Sequence, residues 1–211
     1  MDKAATPMSG RRAQAARNNE VILEAAREVF VADPGAPISA VAQRAHVGIS
    51  ALYRRYSSKE ELLRQLCLDG LRRYMAAADA GVADEEDEWE ILATFMRRVV
   101  EEDTHSLTLR LAGTFTPTDE LIHEASRAQA LNERLFGRAR AAGVIRSDVE
   151  VDDLALIFEQ LAAVRLGDAA RTAQLRQRYL TLLLDALHLE DGSPLPGPPP
   201  TWQEIGERWT T

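Results

Sequence analysis

Residues 38–62, ISAVAQRAHVGISALYRRYSSKEEL, constrain the fold more than any other stretch of this chain. Ile38, Val41, Ala42 and Ala45 recur at i, i+3, i+4 and i+7, the apolar stripe of a short helix. Val47 and Gly48 fall at a corner. Leu52 and Tyr56 then make an i, i+4 inward pair on a second short helix, which turns Ile49, Ser50, Tyr53 and Arg55 outward. Helices below about 12–15 residues are marginal on their own in water. A segment that must be held by its neighbours, while offering hydroxyls and guanidinium groups to the outside, has the design of a helix-turn-helix recognition helix.

The flanks fit that reading. Residues 1–17 are small, polar and basic, with Arg11, Arg12 and Arg17, and read as a flexible arm able to add phosphate or minor-groove contacts. A first helix is expected over Asn18–Ala32, capped by Asn18 or Asn19, with Val21, Ile22, Ala25, Ala26, Val29 and Phe30 as its apolar face. Asp33–Pro34–Gly35–Ala36–Pro37 ends it, and Pro37 suits the first turn of the next helix. After the motif, Ser57 or Ser58 caps a long helix with Glu60 and Glu61 in its first turn. Leu62, Leu63, Leu66, Leu71 and Met75 carry its core face towards Ala80, before a loop near Gly81.

Charge divides the chain in the same place. The net charge of −8 is wrong for a nucleic-acid binder until the sequence is split. Residues 1–75 hold twelve Lys/Arg against eight Asp/Glu, and residues 76–211 hold thirteen against twenty-five. A basic module of +4 therefore sits ahead of an acidic body of −12, which confines contact with a polyanion to one end. No apolar run reaches the roughly 18 residues of a membrane span, and the N-terminus has no signal-peptide core. One cysteine, Cys67, excludes an internal disulfide framework, fits a reducing cytoplasm and reads as a small core hydrophobe.

The body reads as helices throughout. Asp84–Glu88 is an acidic helix start, followed by Trp89, Leu92, Phe95, Met96, Val99 and Val100 at helical period. A short helix is expected over Ser106–Phe115, and another from a Thr118 or Asp119 cap to Ala142, carrying Leu121, Ile122, Ala125, Ala128, Leu131, Leu135 and Phe136. Two last helices, Val151–Leu166 and Ala169–Leu189, are apolar on more than one stripe. Their second face predicts a two-fold homodimer through Leu154, Ile157, Phe158, Leu161, Leu175, Tyr179, Leu182, Leu183 and Ala186. EDGSPLPGPPP reads as an extended spacer, and Trp202, Ile205 and Trp209 as a final short helix docked on the body. The domain expectation is thus an arm (1–17), a helix-turn-helix domain (18–62), a helical effector and dimerisation domain (63–190) and a Pro-rich tail (191–211).

VAQRAHVGISALYRRYSSKEEL resembles the tetracycline-repressor (TetR) family of bacterial one-component regulators. The resemblance rests on Val41, Ala42, Ala45, Val47, Leu52, Tyr53, Tyr56, Ser58, Lys59, Glu60 and Leu62, in ungapped spacing over residues 18–65. It implies an all-α protein, a DNA-binding transcriptional regulator, most often a homodimeric repressor released from a palindromic operator by a small effector. Carried over by position, Tyr53 and Lys59 resemble phosphate contacts with Arg55 a third, Ile49 and Ser50 lie nearest the base edges, and Ser39 touches backbone or base. Gly48, Ala51, Arg54 and Tyr56 complete the expected surface. Two positions depart from the family: His46 stands where glycine is usual, which implies either a slightly different turn or a left-handed histidine, and Ala51 replaces a phosphate-donating threonine. For the effector, the resemblance points to the body, where Trp89, Phe95, Met96, Leu111, Phe115, Phe136 and Phe158 are the candidate lining, set against the alternative that they are packed core. His105 and His123 are candidate polar handles.

Other classes find little in the residues. His123–Glu124 opens a zinc-protease-like pattern, but Arg127 stands where its second histidine belongs. There is no Gly-rich phosphate loop, no Gly-x-Ser-x-Gly and no Cys/His cluster at metal spacing, so neither an enzyme nor a cofactor or metal is expected. The remaining alternative is a helical protein-binding adaptor without DNA-binding activity, to which Ala51 and the acidic body lend weight.

Overall fold

A computed structural model describes residues 10–84, 87–104, 107, 111, 113–188 and 192–207, without the side chains of 11–16 and 80–84. Every regular element among them is a helix, and the chain divides into two compact units, Met1–Leu66 and Cys67–Thr211.

In the first unit, α1 (Gly10–Ala32) begins eight residues ahead of the expected Asn18 start. Arg11–Arg17 is made of arginine, alanine and glutamine, all strong helix formers, and the helix-breaking Pro7–Gly10 run ends where α1 begins. Asn18 and Asn19 are therefore interior to the helix and not caps; residues 1–9 of the expected arm lie outside the described residues. Ile22, Leu23, Ala25, Ala26 and Phe30 are buried, whereas Val21, expected on that face, is 51% exposed. An Asx turn, with Gly35 N–H donating to Asp33 Oδ1 at 2.8 Å, follows α1.

Helix α2 (Ile38–Arg44) buries Ile38, Val41 and Ala42, and Pro37 is its N-cap, one residue outside the helix rather than in its first turn. Its end is a Schellman turn: Val47 N–H donates to Ala42 O and His46 N–H to Gln43 O, with His46 left-handed at φ 54°. Helix α3 (Ile49–Arg55) follows at once, and Leu52 is fully buried. Ser58 then caps α4 (Lys59–Asp84), its Oγ accepting from Glu61 N–H at 3.1 Å. Glu61 reaches back to Ser57 N–H at 2.6 Å, so its carboxyl is held below the usual range by the Ser57 hydrogen bonds.

In the second unit, α4 continues through Gly81 to Asp84 where a loop was expected. The surrounding alanines sustain it, since one interior glycine costs only about 1 kcal/mol. The acidic run ahead of α5 (Glu88–Glu101) supplies a cap: Asp87 accepts from Trp89 N–H at 2.9 Å and Glu90 N–H at 3.0 Å. The expected Ser106–Phe115 helix lies mostly outside the described residues, although Leu107, Leu111 and Phe115 are buried. Thr118 caps α6 (Asp119–Ala141), whose Ile122 is 55% exposed rather than in the core.

Helices α7 (Asp153–Ala163) and α8 (Ala169–His188) complete the core with Leu154, Phe158, Leu161, Leu180, Leu184 and Leu187. Helix α7 stops three residues short of the expected Leu166 because its last carbonyls are taken by Arg176 of α8. That buried guanidinium donates to Ala162 O at 3.0 Å and Val164 O at 3.2 Å, and pairs with Asp103 at 2.8 Å. Arg140 pins the turn after α6 through Glu150 and the carbonyls of Ser147 and Val149. The Pro-rich tail docks through its backbone: Arg146 donates to Ser193 O at 2.8 Å, and Leu195 N–H to Asp148 at 2.9 Å. Helix α9 (Trp202–Glu207) forms on a Thr201–Glu204 capping box but buries no residue, and Trp202 is 44% exposed. The expected docking through tryptophans is thus corrected for Trp202; Trp209 lies outside the described residues.

Candidate nucleic-acid interface

Helix α3 divides cleanly. Leu52 and Tyr56 face in at 0% and 4% exposure, while Ile49 and Tyr53 face out at 39% and 49%. Ser50, Arg54 and Arg55 are exposed with them, as are Gly48 at the N-cap and Ser39 in the first turn of α2; Ala51 is half-buried. Among the described residues, neither the Tyr53 hydroxyl nor the Arg54 guanidinium has a hydrogen-bond or ionic partner. By contrast, Arg44 pairs with Glu28 and Arg64 with Glu60 on the same unit. Among the described side chains of this unit, Arg54 and Arg55 of α3 and Lys59 of α4 carry positive charge with no carboxylate partner.

Two expected contacts are placed differently. Tyr56 is buried and its hydroxyl donates to Asn19 Oδ1, so it braces α3 against α1. Lys59 turns inward: its ammonium donates to Pro34 O at 2.9 Å and Ala36 O at 2.7 Å, and lies 5.1 Å from the centre of the Phe30 ring. Two of its three donors are committed to the turn between α1 and α2. Arg55 Nε donates at 2.7 Å to the same Asn19 oxygen that receives Tyr56. Sequence reading gave Asn19 only a capping role. Helical period shows which face a residue occupies, not a partner 36 positions away.

In the second unit the candidate effector residues are core. Phe95, Met96 and Leu111 are fully buried, Phe115, Phe136 and Phe158 nearly so, and Trp89 is half-buried. Phe95 and Phe158 meet edge to face at 6.4 Å, and Tyr74 packs against both at 5.2 and 6.3 Å. Tyr74 is the residue that sequence reading missed. Its hydroxyl donates to Asn132 Oδ1 at 2.7 Å, and burial pushes its phenol up. Trp89 instead stacks on His188, with centroids 4.4 Å apart. His123 is exposed and His105 lies outside the described residues. Burial pushes the Cys67 thiol up to about 12, so it stays un-ionised at neutral pH, as a core residue would.

The expected dimer residues separate into two sets. Leu154, Phe158, Leu161 and Leu175 are buried within their own chain, so they are corrected from interface to core. Tyr179 and Leu182 are 47% and 55% exposed, Ala186 is exposed, and Ile157 and Leu183 are half-buried. Tyr179, Leu182 and Leu183, with Gln160 and Val164, line a groove of about 250 Å³ floored by Leu161.

A short recognition helix with exposed cations, set by a helix-turn-helix in one unit of a chain whose second unit is also helical, defines a DNA-binding protein of the regulator class. Residues 22–66 match the family described as bacterial regulatory proteins, tetR family, and residues 88–189 match the SbtR-like transcriptional regulator C-terminal domain. Together these cover most of the chain, and it belongs to the TetR family of DNA-binding transcriptional regulators. A TetR regulatory protein from Mycobacterium vanbaalenii is 28% identical, with 84% of this chain and 99% of that one covered at a TM-score of 0.57. A TetR regulator from Streptomyces coelicolor is 24% identical, covering 81% and 98% at 0.59. The Mycobacterium smegmatis regulator LfrR, solved in complex with proflavine, shares the fold at 17% identity, covering 84% and 99% at 0.61. No curated protein sequence matches the chain. Among the described residues no helix is long and apolar enough to cross a membrane.

Proposed function

We propose that the chain is a cytoplasmic homodimeric repressor that grips a palindromic operator through α3 and lets go when a small molecule enters its second unit. The observation that carries this is the exposed pair Tyr53 and Arg54, without a hydrogen-bond or ionic partner among the described residues, beside Arg55 on a helix locked from behind by Leu52. In this reading Tyr53, Arg54 and Arg55 contact phosphates and fix register without reading sequence. Ile49 meets a thymine methyl and Ser50 a base edge, with Ser39 adding a backbone contact. Gly48 has no neighbour within 4 Å of where a Cβ would stand, and its φ of −67° does not require glycine. Its missing side chain serves close approach of the backbone to the duplex.

The exposed stripe of Tyr179, Leu182 and Ala186 on α8, continuous with Gln160 and Val164 of α7 and its C-cap, supports the dimer. A two-fold dimer carries two α3 helices, and two symmetry-related readers call for a palindromic operator. For the effector, Tyr74, Phe95 and Phe158 offer three ring faces and the Tyr74–Asn132 pair one polar handle. Entry must part those rings, so ligand and packed core compete for the same contacts.

Selection of bound fragments from genomic DNA, followed by a screen for small molecules that release them, tests the reading. Recovery of palindromic sites released by an uncharged aromatic compound is expected. Recovery of no DNA would contradict the reading of α3 as the helix that grips an operator.

A further inference from the structure

We infer that Asn19 is a positioning residue for DNA binding: its neutral side-chain oxygen fixes the Arg55 guanidinium at the end of α3 while leaving its charge free for a phosphate. This rests on α3 being the DNA-binding helix. Asn19 Oδ1 accepts from Arg55 Nε at 2.7 Å and from the Tyr56 hydroxyl, which fills both lone pairs of the oxygen. Since Arg55 Nε can only donate, the oxygen and not the amide nitrogen must face it. Tyr56 is 4% exposed, so the amide is anchored from the buried side and passes that order to an exposed arginine.

A guanidinium is a rigid plane with five N–H donors. Holding it at Nε sets the plane and leaves both terminal nitrogens for a bidentate phosphate contact. The partner's charge matters as much as its position. A carboxylate would hold Arg55 equally well but would neutralise it, as Glu28 does to Arg44 and Glu60 to Arg64 on the same unit. Asn19 is the only hydrogen-bonding or ionic partner of Arg55 among the described residues, and it carries no charge. Arg54, its neighbour on α3, has no such holder among the described residues and must give up more side-chain freedom on binding.

Fluorescence anisotropy with a labelled duplex from the DNA flanking the coding region, across a salt series, tests this. The wild-type chain, Asn19→Ala, Asn19→Asp, Arg55→Ala and the Asn19→Ala/Arg55→Ala pair are compared. Losing the Arg55 contact should weaken binding about tenfold per contact and flatten the log–log salt slope by about 0.9 per protomer. Asn19→Ala leaves Arg55 charged but unheld, so it should keep the salt slope while losing part of the affinity that Arg55→Ala loses, and the pair should lose no more than Arg55→Ala alone. Asn19→Asp keeps the acceptor, so its melting temperature should hold while its salt slope flattens. A wild-type slope in Asn19→Asp, wild-type affinity in Asn19→Ala, or losses that add in the pair, would overturn the inference. Absence of wild-type binding would instead remove the reading of α3 on which it stands.

Discussion

The ammonium of Lys59 donates to the main-chain oxygen of Ala36 at 2.7 Å, tying the first residue of α4 to the turn that precedes α2. With Pro34 O at 2.9 Å and the Phe30 ring beneath it, one cation joins three elements of the helix-turn-helix unit. Lys59→Ala should therefore destabilise the fold by about 1.5–3 kcal/mol, the worth of a charge-assisted hydrogen bond set. Urea denaturation checks it. A lysine serving mainly as a phosphate contact would leave the midpoint unchanged and lower only DNA affinity.

His46 occupies the left-handed position of a Schellman turn at φ 54°, where a side chain costs roughly 1–2 kcal/mol. Glycine removes that strain but adds freedom to the unfolded chain, so His46→Gly should stabilise by only about 0.5–1 kcal/mol net. The urea midpoint should rise with its slope unchanged. A lower midpoint would mean that the imidazole makes an interaction worth more than the strain.

Leu180 and Leu182 stand two residues apart on α8 and face opposite ways, at 0% and 55% exposure. Leu180→Ala should cost about 2–5 kcal/mol of stability, as a buried leucine does. Leu182→Glu should leave the helical spectrum intact and shift the sedimentation coefficient from dimer to monomer. A Leu182→Glu chain that remains dimeric would move the interface off this stripe.

The tail is fastened by Asp148, whose carboxylate takes two bonds from Arg146 and the Leu195 amide. These bonds, the Arg146 one foremost, hold its carboxyl far below the usual range. A depressed folded value means that the fastening is complete above the ordinary carboxylate range and is lost as pH falls through the folded value. The Leu195 amide signal should therefore stay in its bonded position through mild acid and move only in strong acid. In Asp148→Ala it should be displaced at every pH. Movement at the ordinary carboxylate range would show that the pairing is absent in solution.

Much of this molecule was legible before its structure. The spacing of Ile38, Val41, Ala42 and Ala45, then of Leu52 and Tyr56, sorts inward from outward positions correctly in every case. At His46 the sequence leaves a changed turn and a left-handed histidine both open, and the φ of 54° decides for the second. What escaped were charged and polar groups bound across the chain: Lys59 to Ala36, Arg55 to Asn19, Tyr74 to Asn132 and Arg176 to the end of α7. Periodicity reports apolar faces, and a long side chain with several donors can reach partners no local pattern encodes. The apolar residues of α7 and α8 show the same limit. Two stripes were visible, but which one faced home, Leu180–Leu184–Leu187 or Tyr179–Leu182–Ala186, needed the fold.

The salt dependence of DNA binding tests the central claim most directly, measured for the wild-type chain and an Arg54→Ala/Arg55→Ala variant on fragments flanking the coding region. If α3 grips the phosphate backbone, log affinity should fall linearly with log salt, and the variant should flatten that slope by about 1.8 per protomer. Equal slopes for the two proteins, or no binding to any fragment at low salt, would contradict the account.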